Sequence, residues 1–234
     1  MLLPSPAALV VAHPGHELRL FHWLETDNPT VFVLTDGSGR SGRSRLESTR
    51  AVLAATGSAE GSVMGRFTDA EVYRAILGGD VRQLAEVTRE LKRALSGFRT
   101  VVSDAMELYN PAHDLCHVMA RLAAPAEAGQ FSYAVVEAPG DGITLALDDD
   151  AFARKMAMAH RYEDIATDID ELISRIGVEG LRREIFFRAT PVSANAQPYY
   201  EIRGEEQVRA GKYETVLRYR EHFLPFVAGL AASQ

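Results

Sequence analysis

Cysteine is almost absent from this chain of 234 residues, which contains only Cys116. A single cysteine excludes a disulfide framework and a zinc site built from cysteines. Long apolar runs are lacking too, since no stretch approaches the ~18 consecutive apolar residues of a membrane span. The first residues carry no cluster of positive charge, so we expect no secretory signal, no membrane association and a cytoplasmic location.

Excess positive charge is also missing. The chain has 25 Lys and Arg against 32 Asp and Glu, a formal net charge of -7. Proteins that bind nucleic acid usually present a basic face, so we expect no nucleic-acid partner. The sequence shows no internal repeat, low-complexity tract or linker, and the length suits one large domain. We therefore predict a single domain over residues 1–234.

Short apolar runs alternate along the chain with segments of helical periodicity. The runs predict strands at 7–12, 30–35, 99–105, 131–138 and 183–191. The periodic segments predict helices at 17–25, 45–56, 70–95 (broken at Gly78-Gly79), 113–124, 148–177 and 213–230. Strands that alternate with helices are typical of an α/β fold, with a mostly parallel, doubly wound sheet flanked by helices.

Four of the seven histidines lie where predicted strands end. His13 and His16 leave the first strand in "VVAHPGHE", and His113 and His117 follow the third strand in "YNPAHDLCH". The carboxyl ends of parallel strands meet at one edge of a sheet, where such folds bind ligands. Neutral imidazole suits zinc and similar divalent metals. We predict that His13, His16 and His113 bind Zn²⁺ or another divalent ion, with His117 a fourth ligand or a group that orients one.

The same segments resemble a known family. "VVAHPGHE", then "LTDG", then "NPAH" at the start of a helix, is similar to the motif order of the LmbE/PIG-L family of zinc-dependent N-deacetylases. The later "RKMAMAHRYEDI" resembles the lysine-containing helix of that family, and the resemblance runs from about residue 7 to residue 165. It implies a Rossmann-like fold, a zinc ion, and an N-acylated small molecule, such as an amino sugar, as substrate.

Carried over by position, the resemblance makes His13 and His113 zinc ligands and places His16 where the family has an aspartate ligand. Gly15 stands where the family has its general base, an aspartate. Asn110 and Ala112 replace the first histidine and the aspartate of the family's H-P-D-H motif. The metal ligands are thus retained, whereas the acid and base residues are not.

Asp104 is the predicted replacement base because it ends the third strand and shares a loop with His113; Asp36 is the second choice. Asn110 is predicted to donate a hydrogen bond to the oxyanion of the reaction. The expected function is a metal-dependent amidohydrolase that removes an acetyl or other N-acyl group. The alternative is a relative of the family that keeps the fold, with or without the metal, and that either catalyses no reaction or performs a different one.

The C-terminal segment 195–234 is rich in tyrosine, arginine and glutamate. Tyrosine and arginine are common both in ligand sites and in subunit interfaces. We therefore predict that this segment forms a lid or substrate wall over the site, or an interface in a homo-oligomer.

Overall fold

The computed structural model describes residues 2–39, 41–136, 141–161, 163–188 and 197–234. Parts of the predicted elements, residues 137–138, 162, 189–191 and 195–196, lie outside this description. None of the helices in the described ranges has both the length and the apolar character needed to cross a membrane.

A five-stranded, wholly parallel sheet lies at the centre, in the order β3-β2-β1-β4-β5. Its strands are β1 (Ala7–Val11), β2 (Thr30–Thr35), β3 (Ala59–Phe67), β4 (Thr100–Asp104) and β5 (Gly129–Tyr133). Strands β1, β2 and β4 are runs of small and β-branched residues and are buried almost throughout, as a sheet covered on both faces requires. The predicted α/β, Rossmann-like architecture is confirmed.

Helices cover both faces of this sheet. In the described residues they are α1 (Phe21–Asp27), α2 (Leu46–Thr56), α3 (Asp69–Gly78), α4 (Arg82–Ala94), α5 (Pro111–Ala123), α6 (Asp149–Ala159), α7 (Glu163–Ile176), α8 (Tyr199–Arg209) and α9 (Leu224–Ala232). Helices α3, α4, α5 and α9 share one apolar core with the sheet. Helices α1, α2, α6 and α7 contribute to a second core on the opposite face.

Three predicted helices differ in the structure. The helix expected at 17–25 begins as a 3₁₀ turn (His16–Leu20) before α1, and the helix expected at 148–177 is interrupted between α6 and α7. The helix expected at 213–230 begins only at Tyr219, with one π-helical turn, Tyr219–Phe223, before α9. Side-chain spacing alone does not reveal where the backbone changes its helical hydrogen-bonding pattern or where a helix begins late.

Two strands were not predicted. β3 is an edge strand with mostly exposed or half-exposed side chains, so it lacks the apolar signal of its neighbours. The second, β6 (Ile143–Ala146), pairs antiparallel with β7 (Arg183–Phe186) in a separate two-stranded sheet. The strand predicted at 183–191 thus exists as β7 but is not part of the parallel sheet.

The direction of winding reverses beside β1. The chain proceeds from β1 through β2 to β3 on one side, and then returns to place β4 and β5 on the other side. At such a point the loops after the two adjacent strands diverge and leave a crevice at their carboxyl ends. β1 leads into His13, and β4 ends at Asp104 and leads toward His113. The fold therefore brings both histidine motifs to the crevice.

Candidate metal centre

Three imidazole rings meet at this crevice. The ring centroids of His13, His16 and His113 lie 4.4–5.1 Å apart, with each pair of rings packed edge to face. One side-chain nitrogen from each residue lies within 4.8 Å of the other two, a spacing at which one metal ion can contact all three. The structure thus brings together the three histidines that the sequence predicted as ligands.

Local backbone geometry explains how two of these rings reach the same point. Pro14 and Gly15 form a turn after β1, and Gly15 has φ 103°, in the left-handed region that favours glycine. The turn is completed by the carboxylate of Glu17, which accepts a hydrogen bond from the Gly15 N–H at 2.8 Å. Gly37 packs so closely that a Cβ there would lie 2.8 Å from Pro14 Cδ. The turn therefore favours glycine at position 15, where proteins of the LmbE/PIG-L family carry an aspartate.

His13 is oriented by a carboxylate that the sequence did not reveal. Its Nδ1–H donates to Asp69 Oδ1 at 2.9 Å and lies 2.7 Å from Thr35 Oγ1, which donates to the same oxygen at 2.7 Å. Asp69 Oδ2 accepts from the backbone N–H of Gly39 at 2.6 Å. Although burial opposes it, His13 and these other donors keep the pKa of Asp69 well below its usual value. Asp69 is therefore ionised and fixes the tautomer that leaves Nε2 of His13 as an acceptor.

Asp104 has the corresponding role for His16. His16 Nδ1–H donates to Asp104 Oδ2 at 2.8 Å, and the same oxygen accepts from Ala12 N–H at 2.8 Å. Asp104 Oδ1 accepts from the Tyr133 hydroxyl at 2.7 Å, and the carboxylate is fully buried. Burial lowers the pKa of His16, but the Asp104 carboxylate outweighs this effect and raises it.

This arrangement argues against the role predicted for Asp104. A general base needs an oxygen that faces the substrate, whereas both oxygens of Asp104 are used by protein donors behind His16. Asp36, the second choice, accepts from the Ser38 N–H at 2.9 Å as an ordinary turn residue and does not line the cavity. The contacts of Asp104 instead match the pattern in which a carboxylate orients a metal-binding histidine.

His113 enters from the start of α5. Pro111 is the first residue of that helix, and Asn110 caps it through Oδ1, which accepts from Ala112 N–H at 2.9 Å. Burial, together with the neighbouring His16 and His13, lowers the pKa of His113 well below its usual value. Burial is also the main cause of the lowered pKa of His13. Both rings are thus neutral, which is the form that binds metals.

Two ring nitrogens in the cluster lack any partner among the described residues. Nε2 of His13 and Nδ1 of His113 are buried and accept or donate no hydrogen bond there. Buried polar side-chain atoms usually have a partner, because removing them from water without one is costly. The three-histidine set therefore fits a bound divalent ion, which would satisfy these nitrogens.

The fourth predicted histidine faces elsewhere. His117 Nδ1 donates to the backbone carbonyl of Asp104 at 3.0 Å and lies near two serine hydroxyls, Ser103 and Ser132. It does not belong to the cluster around His13. His117 fastens the end of β4 to α5 and is not a ligand.

A cavity of about 430 Å³ opens above the three histidines. Asn110 lines it. Because Oδ1 of Asn110 caps α5, its Nδ2 has no partner among the described residues.

Lys155 also lines the cavity, where its ammonium donates to Glu184 at 2.9 Å and to the Arg19 carbonyl at 2.8 Å. Burial lowers the pKa of Lys155, against the opposing effect of Glu184. This buried pair ties α6 and β7 to the 3₁₀ turn that carries His16.

The C-terminal segment contributes to both the cavity and the core. Tyr199 and Tyr200 at the start of α8 line the cavity. Phe223, Phe226 and Leu230 are buried in the core that α3, α4 and α5 share. Its described residues, 197–234, therefore form a wall of the cavity that is continuous with the fold.

Comparisons with known proteins are sparse. No protein-family model and no curated protein matches the chain. One similar solved structure is that of the conserved protein TT1542 from Thermus thermophilus, with 16% sequence identity and a TM-score of 0.48, over 82% of this chain and 97% of that one. A likeness at this level indicates no function, so the fold stands on the strand order and the metal centre on its own geometry.

Proposed function

We propose that this protein is a metal-dependent amidohydrolase of the LmbE/PIG-L type, which removes an N-acyl group from an amino sugar or a related small molecule. The observation that carries the proposal is the cluster of two buried histidines, His13 and His113, and the half-buried His16, with two partnerless ring nitrogens, beneath an open cavity. Imidazole ligands suit zinc and similar divalent transition metals.

The ion would polarise the amide carbonyl and activate water for attack. The chain itself would supply the orientation of the ligands, through Asp69 behind His13 and Asp104 behind His16. Asn110 would stabilise the oxyanion by donating a hydrogen bond from Nδ2. This group lies at the cavity wall and has no hydrogen-bond partner among the described residues. The neutral rings of His13 and His113 add no positive charge that would compete with the metal.

A second candidate function follows from the carboxylates. Among the described residues that line the cavity, the carboxylates are Asp69 and Glu171. Both oxygens of Asp69 accept hydrogen bonds from the protein, and Glu171 is exposed on α7. No described carboxylate at the cavity thus replaces the family's general base, whose position is occupied by a glycine, Gly15, in this chain. This lack of a base favours a relative that binds the metal but either catalyses no reaction or performs a different one.

An amine-release assay separates the two. Zinc-loaded protein would be incubated with a panel of N-acylated sugars, and free amine would be measured. The His113→Ala variant, which lacks a ligand, should be inactive, whereas His160→Ala, at an exposed histidine at the end of α6, serves as the matched control. The amidohydrolase is supported if wild type and His160→Ala release amine and His113→Ala does not. A fully zinc-loaded wild type that is inert across the panel would favour the second candidate.

A further inference from the structure

The cavity above the histidines is lined by more positive than negative side chains. Its described cationic residues are Arg19, Arg45, Lys155, Arg175 and Arg203, and its described carboxylates are Asp69 and Glu171. The chain as a whole has the opposite balance, with a formal net charge of -7. A cleft lined by one sign of charge concentrates ligands of the other sign. The local excess of cations therefore points to an anionic ligand.

Three of these cations have structural partners. Lys155 is paired with buried Glu184, Arg19 Nε donates to the Ala134 carbonyl at 3.0 Å, and Arg45 Nε donates to the Gly37 carbonyl at 2.7 Å. These groups hold the loops around the cavity in place. They are accordingly less available to a ligand than the two remaining arginines.

Arg175 and Arg203 have no carboxylate partner in the part of the chain that the structure describes. The Arg175 guanidinium lies 4.8 Å from the centroid of the Tyr109 ring and donates to the Tyr109 hydroxyl at 3.1 Å. Arg203 is exposed on α8 and makes no hydrogen bond or ion pair with a described residue. Both arginines are exposed at the wall of the cavity, so their guanidinium groups can form paired hydrogen bonds with an oxyanion that enters it.

Tyr109 fixes where these arginines lie relative to the metal centre. Its ring stacks on Tyr199 with a centroid spacing of 4.8 Å and an interplanar angle of 2°. Arg203 follows Tyr199 by four residues on α8 and so lies on the same helix face. On the other side, the Tyr109 ring lies 6.4 Å from that of His113, so Arg175 Cζ is at most about 11 Å (6.4 Å plus 4.8 Å) from the His113 centroid.

We propose that Arg175 and Arg203 form an oxyanion subsite, and that the ligand carries a phosphate or carboxylate group about one monosaccharide away from the group at the histidines. Arginine suits this role because its planar fork binds either oxyanion with two hydrogen bonds. The stacking of Tyr109 against Tyr199 holds Arg175 in place before the ligand arrives. The reaction expected at the histidines rests on the proposed function, but binding of an anion at the two arginines can be measured separately.

The experiment compares charged and neutral ligands on the zinc-loaded protein. N-acetylglucosamine 6-phosphate, N-acetylglucosamine 1-phosphate and N-acetylmuramic acid (a carboxylate) are each compared with neutral N-acetylglucosamine, by calorimetric titration and by kcat/KM for amine release. The variants are Arg175→Gln and Arg203→Gln, with Arg209→Gln as matched control, since Arg209 is an exposed arginine on α8 that does not line the cavity.

Wild type should prefer at least one anionic ligand over the neutral sugar. Each cavity variant should reduce that preference by about tenfold to a hundredfold, the typical effect of losing hydrogen bonds to a charged group, whereas Arg209→Gln should preserve it. Which ligand is preferred distinguishes phosphate from carboxylate. Equal affinity for charged and neutral sugars in wild type, or a preference untouched in both cavity variants, would overturn the subsite even if hydrolysis occurs. Tight, arginine-dependent binding without hydrolysis would support the subsite and contradict the amidohydrolase.

Discussion

Replacing Asp104 by asparagine separates an orienting role from a catalytic one. Asparagine has nearly the same shape, so its oxygen can take the position of Oδ2 and keep the bonds from Ala12 N–H and His16 Nδ1–H. Its amide group would then donate to the Tyr133 oxygen, and the Tyr133 proton can turn to the His16 carbonyl, 3.3 Å away. What the substitution removes is the negative charge.

The magnitude follows from the number of bonds affected. Three hydrogen bonds to a buried carboxylate become neutral ones, and the loss is offset in part because a buried charge is no longer desolvated, so we expect the free energy of unfolding to fall by about 1–3 kcal/mol. Loss of a carboxylate that orients a metal-binding histidine typically weakens metal binding by about 10–100-fold. Asp104→Ala, which leaves the Ala12 N–H and the His16 Nδ1–H without their acceptor, should be too unstable to interpret.

Zinc affinity would be measured by competition with a chromophoric chelator, and stability by urea unfolding of the zinc-free protein. Asp104→Asn should bind zinc more weakly and recover its function when zinc is raised in proportion. If instead the variant binds zinc with wild-type affinity and loses all hydrolysis, Asp104 acts as the base and the positioning role assigned to it is wrong.

Three further predictions concern the framework around the site. Lys155→Met should lower the free energy of unfolding by about 3–5 kcal/mol, because it leaves Glu184 buried without its counter-charge; urea unfolding that matches wild type would contradict the burial of this pair. Deleting residues 219–234 removes three fully buried apolar side chains worth about 1.5–3 kcal/mol each, so circular dichroism should show an unfolded chain; a folded, zinc-binding product would mean that the segment is a dispensable lid. Gly15→Asp, which introduces the carboxylate that proteins of the LmbE/PIG-L family carry at this position, should cost about 1–3 kcal/mol at this positive φ; a melting temperature equal to that of wild type would show that the turn tolerates a side chain.

The sheet and the histidine cluster were predictable because their signals are local. Strands β1, β2 and β4 are short apolar runs with sharp ends, and parallel strands place their carboxyl ends together. His13 and His16 come shortly after β1, and His113 lies in the first turn of the helix that follows β4, so their convergence could be predicted from the sheet topology. β3 escaped prediction because an edge strand with exposed side chains and two glycines, Gly61 and Gly65, lacks the apolar pattern.

The partners of the histidines were not predictable in the same way. Asp69 follows Thr68 in a capping box at the start of α3, and its sequence context is that of any acidic residue in a first helical turn. For Asp104 the sequence predicted proximity to the site but not which donors it meets. The role of Asp104 depends on two donors, the Tyr133 hydroxyl of β5 and the Ala12 N–H just after β1. Tertiary packing determines how closely these two groups approach the carboxylate.

The central claim is that His13, His16 and His113 bind one divalent metal ion, and zinc stoichiometry tests it most directly. Zinc per chain would be measured by mass spectrometry after equilibration with buffered zinc, for wild type, His113→Ala and the control His117→Gln, whose histidine lies on the same helix but outside the cluster. We predict about one zinc per chain in wild type and His117→Gln, and loss of most of it in His113→Ala, because two histidines make a poor site. Absence of bound zinc in wild type at saturating zinc, or full retention in His113→Ala, would contradict the account.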